Sequence, residues 1–281
     1  MAWTIRPCTA QDATAVLVAF HALDVAEFGQ QEMDLDEVTS ALGADLSWVA
    51  VDGEVVGFAS VSANGECETV ADPAYDPALR QALLELVTVE GRALGATALE
   101  HWAGPGMRVS GPLLEARGFR HARTSWQLRR ELVDLQAPTW PPGVTLSDFD
   151  RDRDGRSVWA LVTEAFASGG FSKERPYDEW ATLMLADVQV VCAVRDDVLV
   201  GCATLGQHLG DGYVRQLAVA PAARGTGLGR ALLLEAFRRS AAAGHTTLSL
   251  NVDGDNDGAR RLYDSVGMTV TQEYWRWDLV L

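Results

Sequence analysis

The sequence predicts an α/β protein built as two copies of one fold, each copy a mixed sheet covered by helices. Three observations predict it. Segments recur in order along the chain: residues 48–61 (WVAVDGEVVGFASV) match 192–205 (CAVRDDVLVGCATL), 70–79 match 219–228, and 113–119 match 262–268. Strand-like and helix-like patterns alternate within each copy around one hairpin, the order expected of a mixed sheet with helices on its faces. Pro138, Pro141, Pro142 and Gly143 interrupt any regular element between the copies. The chain therefore divides into a first domain over residues 1–135, a Pro-rich linker over 136–143 and a second domain over 144–281.

Each copy reads as an opening strand, a helical region, a hairpin, a further strand, a helix, another strand, a short helix and closing strands. The hairpins are the firmest elements. Apolar strands flank a tight polar turn, Asp52-Gly53 in the first copy and Asp196-Asp197 in the second, and a glycine (Gly57, Gly201) lies in the strand that follows. In the second copy the helix over 227–243 is apolar at Leu228, Leu232, Leu233, Ala236 and Phe237, the spacing of one helical face. TTLSLNV (246–252) then reads as a strand.

Composition narrows the function. Of 281 residues, 48% are hydrophobic, ample for packed cores, and no apolar run approaches the roughly 20 residues that span a bilayer. The opening MAWTIRPCTA has no basic region followed by an apolar one, so a cytoplasmic protein is expected. Cys8, Cys67, Cys192 and Cys202 are widely spaced and read as reduced thiols, with no metal site. The formal charge is −16, so neither nucleic acid nor an anionic membrane is an expected partner. A cationic small molecule suits the acidic surface.

The chemistry concentrates in YVRQLAVAPAARGTGLGRALLL (213–234). A strand ends at Val219, Pro221 stops it, and Arg224-Gly225-Thr226-Gly227-Leu228-Gly229 opens a helix that continues through Arg230. Three glycines in five positions let the backbone turn sharply, so several N–H groups converge at a helix N-terminus, a setting for a di-anion. No Gly-Lys-Ser/Thr follows, which excludes a Walker loop, and the position late in the domain excludes a first-turn dinucleotide fingerprint.

On Arg224, Gly227 and Gly229 after a strand ending in hydrophobic-x-Pro, the sequence resembles the GCN5-related N-acetyltransferase (GNAT) family. LSLNVDGDNDGARRLYDSVGM (248–268) matches a second family segment at Asn256, Ala259, Leu262, Tyr263 and Gly267. The likeness is specific over 144–281 and weaker over 1–130. It implies two tandem GNAT-like domains, each a mostly antiparallel twisted sheet flanked by helices, with acetyl-CoA as co-substrate and a primary amine of a small molecule as acceptor. By resemblance, the backbone of Arg224 to Arg230 would hold the pyrophosphate and the strand edge Leu217-Ala218-Val219 would pair with the pantetheine arm. A main-chain N–H there would stabilise the oxyanion. Asn256 and Ala259 would serve the cofactor or order its loop, and Tyr263 would protonate the departing thiolate. On its own, Tyr263 reads equally as a core aromatic.

The general base stays unassigned. Where many family members carry a strand carboxylate this chain has Val214-Arg215-Gln216, leaving Asp211 and Glu164 as candidates beside a water relay. The first copy has AYDPALRQ (74–81) in place of the glycine turn and Leu114 in place of Tyr263, so it reads as inactive, with Asp76 set to repel a pyrophosphate. Within the family, a two-domain chain with one degenerate copy resembles members that acetylate a cysteinyl amine, while an aminoglycoside or polyamine would suit the charge equally. A non-catalytic acyl-CoA-binding module is the alternative from another class. Two calcium-loop imitations, Asp150-Asp152-Asp154-Gly155 and Asp253-Asp255-Asp257-Gly258, read instead as caps and turns.

Overall fold

The computed structural model describes residues 3–75, 77–106, 108–167 and 175–281; Asp76 and Lys173 lie outside them. The elements in chain order are β1 (Thr4–Pro7), α1 (Ala13–Phe28), α2 (Leu35–Leu42), β2 (Leu46–Asp52), β3 (Glu54–Val61), β4 (Glu66–Ala71), α3 (Pro77–Ala93), β5 (Ala98–Ala103), α4 (Ser110–Ala116) and β6 (Arg120–Glu131). They continue with β7 (Thr145–Ser147), α5 (Arg151–Phe166), α6 (Tyr177–Met184), β8 (Gln189–Arg195), β9 (Val198–His208), β10 (Asp211–Val219), α7 (Leu228–Ala242), β11 (Thr247–Asp253), α8 (Asp257–Ser265) and β12 (Thr269–Val280). Two compact units result, one of residues 1–125 with 272–281 and one of residues 126–271. The Pro-rich segment 136–143 falls inside the second unit, and the closing strand expected to complete the second domain counts with the first.

In the first unit β1, β2, β3 and β4 pair antiparallel in order, and β4 pairs parallel with β5. Residues 275–280 of β12 run antiparallel to β5, from Trp275↔Ala103 to Val280↔Ala98. Alternation along the strands sorts the core onto two faces. Val49, Phe58 and Val70 meet Val16 and Phe20 of α1, whereas Ala59, Cys67 and Ala71 meet Leu79, Leu83 and Val87 of α3 and Leu114 of α4.

The second unit repeats this plan. β7, β8, β9 and β10 pair antiparallel, and β10 pairs parallel with β11. Val190, Cys192, Cys202 and Ala218 pack on Val158 and Leu161 of α5 and Trp180 of α6. The opposite face packs on Leu232, Leu233 and Phe237 of α7 and Tyr263 of α8. The turn residues Asp196 and Asp197 both have positive φ (52° and 60°), the mirror-image turn that suits a two-residue hairpin. Both calcium-loop imitations resolve into turns and caps: Asp150 accepts from the Arg153 N–H at 2.9 Å, and the backbone turns at Asp253 before α8.

The repeat is tighter than the sequence match suggested. Gly57 pairs with Ala71 in the first unit, and Gly201 pairs with Val219 in the second. Ala71 therefore stands for Val219, so the sequence match of Val70 with Val219 is out by one residue. The slip hides because β10 carries a bulge between Val214 and Gln216, an inserted residue that β4 lacks.

Candidate active site

The site begins where two parallel strands part. β10 bridges β11 only at Gly212↔Leu248 and Tyr213↔Ser249, while its pairing with β9 runs on to Val219. Beyond Tyr213 the β11-side edge of β10 is therefore open. Ala220 donates its N–H to the Val200 carbonyl at 2.9 Å, so even-numbered residues there turn their backbone groups toward β9. Leu217 and Val219 turn theirs to the open edge. The Val219 carbonyl accepts from Arg224 Nε at 3.3 Å. Side chains of Leu217 and Val219 pack on the α7/α8 core, and Ala218 packs on the other face.

The glycine turn stands at the end of this edge. A 3-10 turn at Pro221–Ala223 follows the strand, and Gly227 is the N-cap of α7 with no side-chain cap. The first N–H groups of a helix have no partner within it, so α7 presents donors at its start. Gly225 (φ +76°) and Gly227 (φ +89°) sit in the left-handed region, with no atom of the described residues within 4 Å of where a Cβ would lie. The backbone conformation, not crowding, demands glycine there, and the space above is open. At Gly229 the demand is contact: a Cβ would come within 3.3 Å of Leu262 and 3.7 Å of Val219. Leu228 is buried and seats the helix, and Thr226 Oγ1 donates to the Ala223 carbonyl at 2.8 Å.

Arg224 and Arg230 bracket the turn. The first bonds a carbonyl, and the second donates to Gln136 Oε1 at 2.9 Å, so both charges face neutral oxygens. Open N–H donors, open space and two cations fit a pyrophosphate; the open strand edge fits an amide-bearing arm.

Asn256 and Ala259 bind one another. Asn256 is the N-cap of α8 and accepts from the Ala259 N–H at 3.0 Å, so its carbonyl oxygen orders the loop. Tyr263 is 8% exposed within the α7/α8 core, and burial pushes its phenol up to about 12, which keeps the proton on at neutral pH. Asp211 is held by Arg129 at 2.7 Å and also accepts from Thr247, while Glu164 lies exposed on α5. Arg215 is committed to the end of α6, donating to the carbonyls of Leu183 (3.1 Å) and Ala186 (3.4 Å).

The first unit parts its strands in the same way but fills the gap. β4 bridges β5 at Glu66↔Glu100 and Cys67↔His101, and there the Thr69 N–H donates to His101 Nε2 at 3.2 Å. Burial holds that imidazole down to about 4, in the neutral form that accepts. The Glu27 carboxylate takes the N–H of Ser110 at 2.7 Å and that of Gly104. Leu114 is 1% exposed at the place of Tyr263. The cavity that remains, beside Thr69, Arg80 and Ser110, is about 10 Å³, room for about one water.

The family model described as Acetyltransferase (GNAT) family matches residues 155–268, which contain the open edge and the glycine turn. A mycothiol acetyltransferase of Streptomyces griseus is 32% identical over 245 residues, covering 79% of this chain and 75% of the relative. The chain belongs to the GNAT acetyltransferase family. A second mycothiol acetyltransferase, from Actinosynnema mirum, is 28% identical and covers 94% of each chain. Among solved structures, a GCN5-related N-acetyltransferase from Sphaerobacter thermophilus superposes with a TM-score of 0.80 at 24% identity, over 99% of this chain and 95% of that one. A tandem GNAT protein from the clavulanic acid biosynthesis pathway follows at 0.76 and 16%, covering 99% and 98%. This GNAT protein is an acetyl-CoA-dependent N-acetyltransferase, and its two-unit fold is shared with that tandem GNAT protein. No described helix is long and apolar enough to cross a membrane.

Proposed function

We propose that the second unit carries the active site and acetylates a primary amine of a small molecule. The observation that supports this placement is the open β10 edge running into an uncapped, glycine-turned helix start. Bound acetyl-CoA supplies an electrophilic thioester carbonyl and a thiolate leaving group. Transfer joins the amine nitrogen to the acetyl carbon and breaks the carbon–sulfur bond; the amine sheds one proton and the sulfur takes one. The backbone of Arg224 to Arg230 grips the diphosphate, with Arg224 and Arg230 adding charge. Leu217, Ala218 and Val219 form the edge for the pantetheine arm, and an N–H of Leu217 or Val219 donates to the oxygen where negative charge builds. Tyr263 holds the proton that the sulfur needs. Asn256 and Ala259 fix the loop that presents α8.

The relatives named mycothiol acetyltransferase support a cysteinyl amine as the acceptor, as in mycothiol synthase, in keeping with the two-unit plan and one closed cleft. Calorimetric titration with acetyl-CoA tests the placement. One site per chain, lost in Gly227→Asp, is the expected result; two sites, or one that survives the substitution, would move the active site elsewhere.

A further inference from the structure

The face of the second unit's sheet that packs on α5 and α6 contains a polar flaw beside the open edge. Thr204 of β9 and Gln216 of β10 are cross-strand partners, so their side chains share that face. Thr204 is 0% exposed, yet among the described residues its Oγ1 has no hydrogen-bond partner, and neither has the buried Oε1 of Gln216. The two do not bond each other. Trp180, on the helix over this face, likewise buries an unpartnered Nε1. Unpaired buried polar atoms are costly, and two opposite one another call for a third group that satisfies both.

Position says which group. Gln216 is the residue before Leu217, where the backbone turns to the open edge, and the bulge at Val214/Gln216 sets its side chain on this face. It is half-buried, and Arg215 beside it in the bulge reaches the carbonyls at the end of α6. Tyr263 lies on the opposite face, so a nucleophile arriving by Gln216 approaches the edge from the side away from the acid. The first unit has a pair at the same register, Ser60 and Glu68, with a carboxylate in place of the carboxamide.

A neutral primary amine has two N–H donors and one lone pair. An oxygen acceptor that takes one of the donors leaves the lone pair to be aimed. We infer that Gln216, seated against the buried Thr204, is the positioning residue for the acceptor amine, its carboxamide turning to accept an N–H bond through Oε1 so that the lone pair faces the open edge. This rests on the active site lying in the second unit.

The test compares Gln216→Leu and Gln216→Glu with the wild type. Thiol release from acetyl-CoA is read with S-methyl-L-cysteine amide, spermidine and kanamycin, and acetyl-CoA affinity and thermal melting are measured alongside. The expected result for Gln216→Leu is a loss of about 10- to 100-fold in kcat/KM for the amine, with acetyl-CoA affinity unchanged and a melting temperature equal or higher. Gln216→Glu keeps an acceptor and returns most of the rate. Full activity in Gln216→Leu would overturn the inference and assign the pair to a buried water. No thiol release by wild-type protein with any of the three amines would overturn the reading beneath it and this inference together.

Discussion

The two clefts of this protein share one backbone plan and differ in what fills them. In both units a parallel strand pair bridges at two residues and then parts. In the first, the N–H that the parting exposes is taken by His101, Glu27 takes further N–H groups, and the turn before α3 lacks glycine. In the second the edge stays open, and Gly225 and Gly227 turn the backbone through the left-handed region to bring α7's donors to the edge. A splayed sheet is therefore common property of the fold; a site also needs free donors and the absence of side chains that would satisfy them.

The sharpest test of that contrast is Tyr263→Phe, because the first unit has leucine at this place. On the proposed role, acetyl transfer should fall by about 10²- to 10³-fold while acetyl-CoA affinity holds, since an acid at the leaving sulfur would serve the chemistry and not binding. Steady-state kinetics with calorimetry measure both, and equal turnover in the variant would leave Tyr263 a core residue, as Leu114 is in the first unit. The wild-type pH profile belongs with it. With the Tyr263 proton pushed up to about 12, the rate should rise as the acceptor amine deprotonates and show no falling limb up to about pH 10. A descending limb near pH 8 would assign the acid to another group.

A smaller effect is expected in the closed cleft. Burial, with Asp24 and Glu66 nearby, raises the Glu68 carboxyl to about 8. A carboxyl raised on folding stabilises the fold below its unfolded value and loses that contribution as pH climbs toward the folded one. Glu68→Gln should therefore raise the melting temperature little at pH 5 and by several degrees at pH 8, a rise of roughly 1–2 kcal/mol in stability, without altering turnover. A uniform shift across that range would deny the link. Smallest is Asn256→Ala, which removes the α8 cap at a cost of about 1 kcal/mol and lowers turnover through Tyr263's helix; urea unfolding reads the first effect.

Much of the second unit's cleft was legible in the residues. Three glycines after a strand end specify a turn because their effect is local, and α7 and β11 formed within one residue of their expected bounds. The two-residue turns at Asp52-Gly53 and Asp196-Asp197 were local signals too. What escaped notice depends on partners distant in sequence. The bulge at Arg215 shows only when β9 is laid beside β10, and without it Gln216 cannot be matched to Glu68. For Asn256 the resemblance leaves cofactor contact and loop ordering open, and only the bond from the Ala259 N–H shows it as a helix cap. The division of the chain escaped for the same reason: nothing in TVTQEYWRWDLV announces that its latter part will pair with β5.

That last strand carries a consequence for synthesis. Trp277 is buried in the first unit's core, and Leu281 donates its N–H to the Thr97 carbonyl at 3.0 Å. The unit encoded first therefore lacks one of its paired strands until residues 272–281 have been made, whereas the unit encoded second has all its own strands once residue 271 emerges. On a nascent chain the order of completion is the reverse of the order of translation, and a chain cut before residue 275 would injure the first unit more than the second.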